Sequence, residues 1–400
     1  MTRLLPSQGV RYRVGRPVLE TAPLAPYDTR VCAFLNELSR AILKAPEVRV
    51  HPDLVSFAYW CRASNISQLK GQFASPQVRL GLGAVLHIAP SNVPLNFAFS
   101  YAFSLLAGNA NIVRLPSNTS PQIDALCDTF TRVLSREEFK TIEDRTAIIE
   151  YVASDALTTE FSQVCRARVI WGGDETVCHI RRLPLPARTI DLAFADRASL
   201  MLIDPQAVIG ASREERHALA HKFFNDTYLM DQNACSSPHL ILWKGLDVEK
   251  GQDLFWTAVA GEVEKNYPMS LKQAADKYVW LCQDAIEQPD VTTFEHASKG
   301  VYRIGLKTVP SHSKRLRGHS GYFYECTLSH WDELTHFVDE KYQTATYFGV
   351  DPLEVREAIM RNGLTGLDRI VKVGDALDIG VIWDGLDIVA TLSRIVDVRS

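Results

Sequence analysis

No two of the eight cysteines (Cys32, Cys61, Cys127, Cys165, Cys178, Cys235, Cys282, Cys326) are spaced C-x-x-C, and they are scattered over 400 residues. That excludes a small disulfide scaffold and argues against a structural zinc site, whose ligands come in close pairs, so no metal is expected. A long basic run is also missing. Lys plus Arg number 43 against 47 Asp plus Glu, a net charge of −4, which excludes phosphate-backbone binding as the main task and with it a nucleic-acid partner. The most apolar stretch, residues 93–107 (VPLNFAFSYAFSLLA), carries Pro94 and Asn96. It is shorter than the ~20 residues that cross a bilayer, so no membrane span is expected. The opening MTRLLPSQGVRYRVGRP has neither an apolar core nor a small-residue cleavage site, and the expectation is a reducing cytoplasm. Repeats and low-complexity segments are absent, as is a G-x-G-x-x-G turn after a strand: Gly81-Leu82-Gly83 precedes its strand.

What is there is an ordinary globular composition, 46% hydrophobic and 22% charged, in a chain long enough for two or three domains. Val31, Phe34, Leu35, Leu38, Ile42 and Leu43 follow the i, i+3, i+4, i+7 rule and predict an amphipathic helix over 29–44. From Gly81 the rhythm changes. Short apolar runs at 83–88, 111–114, 147–152 and 168–171 alternate with helical patterns at 94–106, 121–134 and 157–164 and a further helix after Gly173. Continuous rather than alternating apolarity marks strands buried on both faces, hence a doubly wound parallel sheet. Such sheets bind ligands at the carboxyl ends of their strands, which selects the turns 89–94, 115–121 and 172–175. A second α/β unit begins near Arg197, with strands at 199–203 and 239–243 and helices at 212–229, 254–265 and 331–341. The tail 378–395 predicts a hairpin at Asp384-Gly385 or a return to the first domain. The expected domains are 1–196, 197–370 and a C-terminal segment 371–400.

Cys235 lies in Asp231-Gln232-Asn233-Ala234-Cys235-Ser236-Ser237-Pro238, a polar, small-residue turn between a predicted helix and a predicted strand. A thiol there faces a cleft or is an inert core cysteine; a nearby amide would lower its pKa and hold an oxyanion. Asn92, between Pro90 and Pro94, reads as an oxyanion donor or as a helix-capping residue. Gly172-Gly173 opens a helix after a strand, a place for a phosphate or a tight turn. Phe97, Phe99, Tyr101 and Phe103 read as the wall of an acyl tunnel or as the packed face of the first crossover helix.

Together, Ala89-Pro90-Ser91-Asn92-Val93-Pro94, the 108–117 segment GNANIVRLPS, Trp171-Gly172-Gly173-Asp174 and the 226–238 segment DTYLMDQNACSSP resemble the aldehyde dehydrogenase superfamily. More closely they resemble the LuxC-type acyl-CoA reductases, as do Phe194-Ala195-Asp196-Arg197 and Ile382-Trp383-Asp384-Gly385, and the likeness spans roughly residues 80–395. The resemblance implies a fold and a set of roles. The fold is α/β and aldehyde-dehydrogenase-like, a Rossmann-type parallel-sheet cofactor domain followed by a second α/β domain that bears the nucleophile. Cys235 falls where the family has its nucleophile, and Asn92 where it has an oxyanion donor. Ala89, Pro90, Ser91, Arg114, Pro116, Ser117, Gly172 and Gly173 fall where a cofactor is held. Leu115 replaces the general family's lysine and Asn118 a common glutamate, so NADPH is favoured over NADH, with Arg114 supplying positive charge. Asp191 lies near the general family's glutamate base, 44 residues before Cys235; pairing with Arg188 or Arg197 is its alternative.

The implied reaction is NADPH-dependent reduction of a long-chain acyl-CoA to the fatty aldehyde through S-acyl-Cys235. Its rivals are the oxidative direction, to a CoA thioester or free acid, and an acyl transferase that never reduces. The implied partners are acyl-CoA or an acyl carrier, an acyltransferase or synthetase protein, and further copies of the chain.

Overall fold

The computed structural model describes residues 1–73, 77–90, 93, 95–116, 120–311 and 316–399. The chain divides into two units, Met1–Ala195 with Ile379–Ser400, and Asp196–Asp378. Against the expected boundaries near 196 and 370, the second crossing falls eight residues later and the tail belongs to the first unit.

The first unit is built on six strands: β1 (Arg11–Val14), β2 (Ala84–Ile88), β3 (Ala110–Arg114), β4 (Thr146–Glu150), β5 (Ala167–Trp171) and β6 (Ile190–Phe194). Their order is β1-β4-β3-β2-β5-β6, and all neighbours are parallel except β1 with β4. One face carries Val85, Val113, Ile148, Val169 and Leu192, the other Leu86, Ile112, Ile149 and Ile170, so every central strand is apolar on both sides. Helices α1 (Thr29–Lys44), α2 (Pro52–Trp60), α3 (Asn96–Leu106) and α4 (Pro121–Leu134) cover the first face. Helices α5 (Asp155–Gln163) and α6 (Asp174–Arg181) cover the second. The starts are dictated locally: the Asp28 carboxylate accepts from Arg30 N, and Ser120 accepts from Ile123 N ahead of Pro121. In the tail, Asp384 (φ 49°) and Gly385 (φ 72°) turn a hairpin that pairs Ile382–Trp383 with Leu386–Asp387. Ser393–Ile395 then pairs antiparallel with Arg79–Gly81.

The second unit has seven strands: β7 (Ala198–Ile203), β8 (Pro238–Trp243), β9 (Val291–Ser298), β10 (Val301–Leu306), β11 (Tyr322–Thr327), β12 (Tyr342–Phe348) and β13 (Arg369–Lys372). The order is β9-β10-β11-β8-β7-β12-β13, with only β9 antiparallel. Helices α7 (Arg213–Thr227) and α8 (Val248–Asn266) pack on Met201, Ile203, Ile241 and Trp243. Helices α9 (Leu271–Glu287) and α10 (Pro352–Asn362) lie over Leu200, Leu240, Leu242 and Ile304. The helix expected over 331–341 is instead a 3₁₀ turn, Trp331–His336, followed by irregular chain up to β12. Its buried residues Trp331, Leu334 and Phe337 recur every three positions, the 3₁₀ period, not 3.6.

Candidate active site

Helix α7 ends in the 3₁₀ turn Tyr228–Met230, and the chain then reverses through Asp231 (φ 51°) and Gln232 (φ 58°), two successive left-handed residues. Side chains disfavour that conformation by about 1–2 kcal/mol each, so neighbours must hold it. The buried Gln232 amide does so with its full capacity. Its Oε1 accepts from Gly321 N (2.7 Å) and Tyr322 N (3.1 Å), and its Nε2 donates to Pro238 O and Tyr322 O. Gly321 (φ 88°) permits that approach, since a Cβ there would overlap the Gly300 carbonyl. Asp231 O accepts from Ser320 N (3.1 Å), while its carboxylate accepts from Tyr267 OH and Gln273 Nε2.

Cys235 follows on this fixed base, partly exposed and outside any disulfide. Ser199 Oγ at the start of β7 donates to Cys235 O (2.7 Å) and accepts from Thr344 N of β12 (3.1 Å), tying the cysteine's carbonyl to two strands. Ser237 N donates to Ala234 O and Ser237 Oγ to Asp226 O. Buried Asp226 in turn accepts from Gly374 N (2.7 Å) and Ala376 N (3.0 Å). Burial, aided by Asp375 and Asp378, pushes its carboxyl up to about 7. Next to the turn, buried His239 donates from Nδ1 to Gly318 O (2.7 Å), and burial beside Arg317 and His319 pulls its pKa down to about 3.

In the first unit, three turns lie side by side at the carboxyl edge of the sheet. Ala89 N donates to Arg114 O, Leu115 N to Ile149 O, and Gly172 N to Phe194 O. Ala89, Pro90, Arg114, Pro116, Gly172 and Gly173 are thus brought to one edge, while Ser91, Asn92, Ser117 and Asn118 lie outside the described residues. The Arg114 guanidinium lies 4.8 Å from the Tyr151 ring centroid, and its buried Nε has no hydrogen-bond partner among the described residues. Gly173 caps α6 with no side-chain cap, and a Cβ built on it would meet open space. Behind Gly172, Trp171 Nε1 donates to Ser100 Oγ (3.0 Å), and its ring stacks on Phe194 at 3.9 Å.

Asp191 is engaged by a partner that sequence reasoning did not select. Its two oxygens accept from Arg168 Nε (2.7 Å) and Nη2 (2.8 Å), and Arg168 is fully buried. The two residues face each other in the β5–β6 ladder, and neither Arg188 nor Arg197 is involved; Arg197 pairs with Asp368. Both carboxylate oxygens are taken up by one guanidinium, a bidentate pairing that speaks for a structural part. Phe97, Phe99, Tyr101 and Phe103 are all buried. Phe99 meets Phe57 and Trp60 edge-on, and Tyr101 meets Phe130, so the crossover helix is core. Gln232 and Asp226 lay inside the 226–238 segment without being singled out, and Ser199 had no local signal. Among the described residues no group of three or more His, Cys, Asp or Glu is arranged to hold a metal, and no helix is long and apolar enough to cross a membrane.

The fold is that of the aldehyde dehydrogenases. Similar solved structures include a salicylaldehyde dehydrogenase from Pseudomonas putida G7 (TM-score 0.60, 12% identity, covering 92% of this chain and 85% of that one). A NAD-dependent benzaldehyde dehydrogenase from Corynebacterium glutamicum is another (TM-score 0.54, 13% identity, 88% and 83%). A third is proline utilization A from Bradyrhizobium japonicum (TM-score 0.62, 14% identity, 92% of this chain but 42% of that one). No curated protein matches the sequence significantly. The acyl-CoA reductase (LuxC) profile matches residues 65–279, more than half of the sequence, and the chain belongs to that family. It is an oxidoreductase of aldehyde-level chemistry.

Proposed function

We propose that this chain reduces a long-chain acyl-CoA to the fatty aldehyde with NADPH, through an S-acyl intermediate on Cys235. The observation that carries the reading is the presentation of Cys235 on a partly exposed turn, anchored by Gln232, Ser199 and Ser237, in a chain of the acyl-CoA reductase family. A rigidly held thiol on a turn is what nucleophilic catalysis requires. The Cys235 sulfur attacks the thioester carbonyl carbon, and the bond from that carbon to the CoA sulfur breaks. CoA leaves as a thiol with the proton that Cys235 gave up. One thioester replaces another, so the transfer is nearly balanced in free energy. The Cys235 backbone N–H and the Asn92 side chain are the donors we assign to the oxyanion. Asp191, clamped by Arg168, takes no step.

Family and fold imply a nicotinamide cofactor. The carboxyl edge of the first sheet fits one: Arg114 offers a buried N–H without an acceptor among the described residues, and Gly173 leaves space at an uncapped helix N-terminus. The first-turn residues Asp174 and Glu175 oppose a phosphate there, so the free helix N–H groups would have to outweigh them, while Arg114, whose guanidinium lies over Tyr151, is assigned to a 2′-phosphate. Ala89, Pro90, Ser91, Arg114, Pro116, Ser117, Gly172 and Gly173 are the residues assigned to hold it. Asn118, where a carboxylate would repel a 2′-phosphate, favours NADPH. When bound, the nicotinamide supplies the hydride that takes the acyl carbon to the aldehyde level.

Intact-protein mass spectrometry after incubation with palmitoyl-CoA tests the reading. The protein should gain one palmitoyl group, lost on adding NADPH as trapped aldehyde appears. A mass gain that persists in Cys235→Ala, or that NADPH does not discharge, would refute it. Asn92→Ala should lower turnover by about 10²–10³-fold with NADPH affinity unchanged.

A further inference from the structure

We propose, on the reading of Cys235 as the nucleophile, that Asp226 is its positioning residue: the carboxylate holds the 373–378 segment, the backbone carbonyl holds the nucleophile turn, and the turn is set for acyl transfer when that carboxylate is charged. Asp226 lies in the last turn of α7 and is 1% exposed. Its Oδ2 accepts from Gly374 N (2.7 Å) and its Oδ1 from Ala376 N (3.0 Å), just after β13. In the same segment Arg369 Nη1 donates to Ala376 O (2.7 Å), and Nη2 to Asp375 O (2.8 Å) and Asp378 O (2.6 Å). One buried carboxyl thus takes the segment's N–H groups and one guanidinium its carbonyls. The approach is close. A Cβ on Gly374 (φ 104°) would lie 3.0 Å from Cβ and Cγ of Lys222, one helical turn before Asp226.

The main chain of the same residue reaches the nucleophile. Asp226 O accepts from the buried Ser237 Oγ (2.7 Å), and Thr227 O accepts from Gln232 N (2.8 Å). Cys235 therefore sits in a loop tied at both ends to the last two residues of α7. Ser237 N closes the loop further by donating to Ala234 O (2.9 Å), across Cys235.

Two N–H donors on two oxygens call for a group that only accepts. A carboxylate is one, whereas a carboxylic acid carries on one oxygen a proton that needs its own acceptor. Burial, aided by Asp375 and Asp378, raises this carboxyl to about 7 against the two N–H bonds. The charged groups facing it are those two aspartates and Arg369, with Lys222 lying against Gly374. As pH falls through 7, one of the two bonds to the segment weakens, and the disturbance passes to Ser237 through Asp226 itself. Stability moves the other way. A carboxyl with a raised pKa binds its proton more tightly in the folded chain, so its contribution is full below pH 3.8 and is lost as pH rises through about 7. Charging Asp226 costs stability and orders the turn, whereas a residue serving the fold alone would move both in one direction.

Single-turnover loading of the full chain with palmitoyl-CoA, followed by mass between about pH 5.5 and 9, tests this. Ionisation of the attacking thiol enters every profile, so the readout is the ratio of variant to wild type. Asp226→Asn offers one acceptor and no charge. It should load about ten-fold more slowly than wild type at the alkaline end and within about two-fold of it at the acid end, with half-saturating palmitoyl-CoA unchanged. The ratio should turn near pH 7. Ser237→Ala cuts the link at its far end and should show the same turn in its ratio. Its urea stability should still fall as pH rises through 7, because Asp226 still ionises. A ratio independent of pH in either folded variant overturns the proposal, as does slow loading that comes from weaker palmitoyl-CoA binding alone. A wild type that takes up no acyl group refutes Cys235 as the nucleophile, and the proposal falls with it; a wild type that loads beside a flat ratio refutes the role of Asp226 alone. Should Asp226→Asn not fold, Ser237→Ala decides.

Discussion

Two polar clusters in the middle of the parallel sheets, one around His87 in the first unit and one around Glu325 in the second, are satisfied in opposite ways. In the first, the chain of contacts is neutral and directional. Asn111 Oδ1 can only accept, so His87 Nε2 donates to it (3.0 Å) and His87 Nδ1 accepts from Ser100 Oγ (2.7 Å), which accepts from Trp171 Nε1 (3.0 Å). Burial holds His87 neutral, its pKa drawn down to about 4. In the second unit the centre is ionic. Glu325 accepts from Arg303 Nε (2.6 Å) on one oxygen and from Trp243 Nε1, Trp256 Nε1 and Gln252 Nε2 on the other. Arg303 also pairs with Glu295 (2.8 Å). A neutral chain loses little when one link weakens, whereas an ion pair whose partner is removed leaves a buried charge. The neutral chain also ends at Trp171, one residue before the glycine turn, so it orders the edge assigned to the cofactor.

The sharpest way to break this comparison is to separate the chemistry assigned to each unit. Cys235→Ala should abolish acyl loading while NADPH still raises the melting temperature. Gly173→Val, with open space for its side chain, should lose the NADPH shift while still accepting the acyl group. If both functions fail together in either folded variant, the division of labour is wrong.

Removing the buried carboxylate comes next. Glu325→Gln should cost about 3–5 kcal/mol in urea unfolding, because Arg303 keeps its charge with only the half-exposed Glu295 left to answer it. A loss below 1 kcal/mol would mean the ionic centre is no more demanding than the neutral one.

Protonation probes the neutral chain. His87 has a folded pKa below its unfolded one, so its contribution is complete above pH 6.5 and is lost as pH falls towards 4. At 1.36 kcal/mol per unit this amounts to roughly 3 kcal/mol. In His87→Gln, where an amide donates and accepts in place of the ring, that part of the acid sensitivity should vanish. His239 titrates in both proteins and cancels from the difference. An unchanged pH profile would remove His87 from the account.

Smallest is Ser100→Ala. It leaves His87 Nδ1 and Trp171 Nε1 unpaired and should cost about 1–3 kcal/mol at pH 7. A neutral result would show that water replaces the hydroxyl.

The strands at 84–88, 110–114, 146–150 and 167–171 and the α1 helix were legible within a residue or two of their bounds. Burial on both faces makes such strands continuously apolar, and a one-sided helix writes its period into the sequence. The turn carrying Cys235 was legible by composition and by resemblance. Its anchors were not, because Gln232 reaches Gly321 and Tyr322, and Ser199 reaches Cys235 and Thr344, across long stretches of sequence. The 331–341 segment was misread for a different reason. Buried residues every third position also fit a helix when only eleven residues are seen.

The order of apolar runs, polar turns and caps, all local properties, was enough by itself to determine the α/β class, most strands of the first sheet and the turn that bears Cys235. Which residues hold that turn, and that Asp191 faces Arg168 rather than Arg188, were decided only by tertiary structure. Sheet register and helix rotation choose contact partners from every residue the chain brings within reach, and no local pattern encodes that choice.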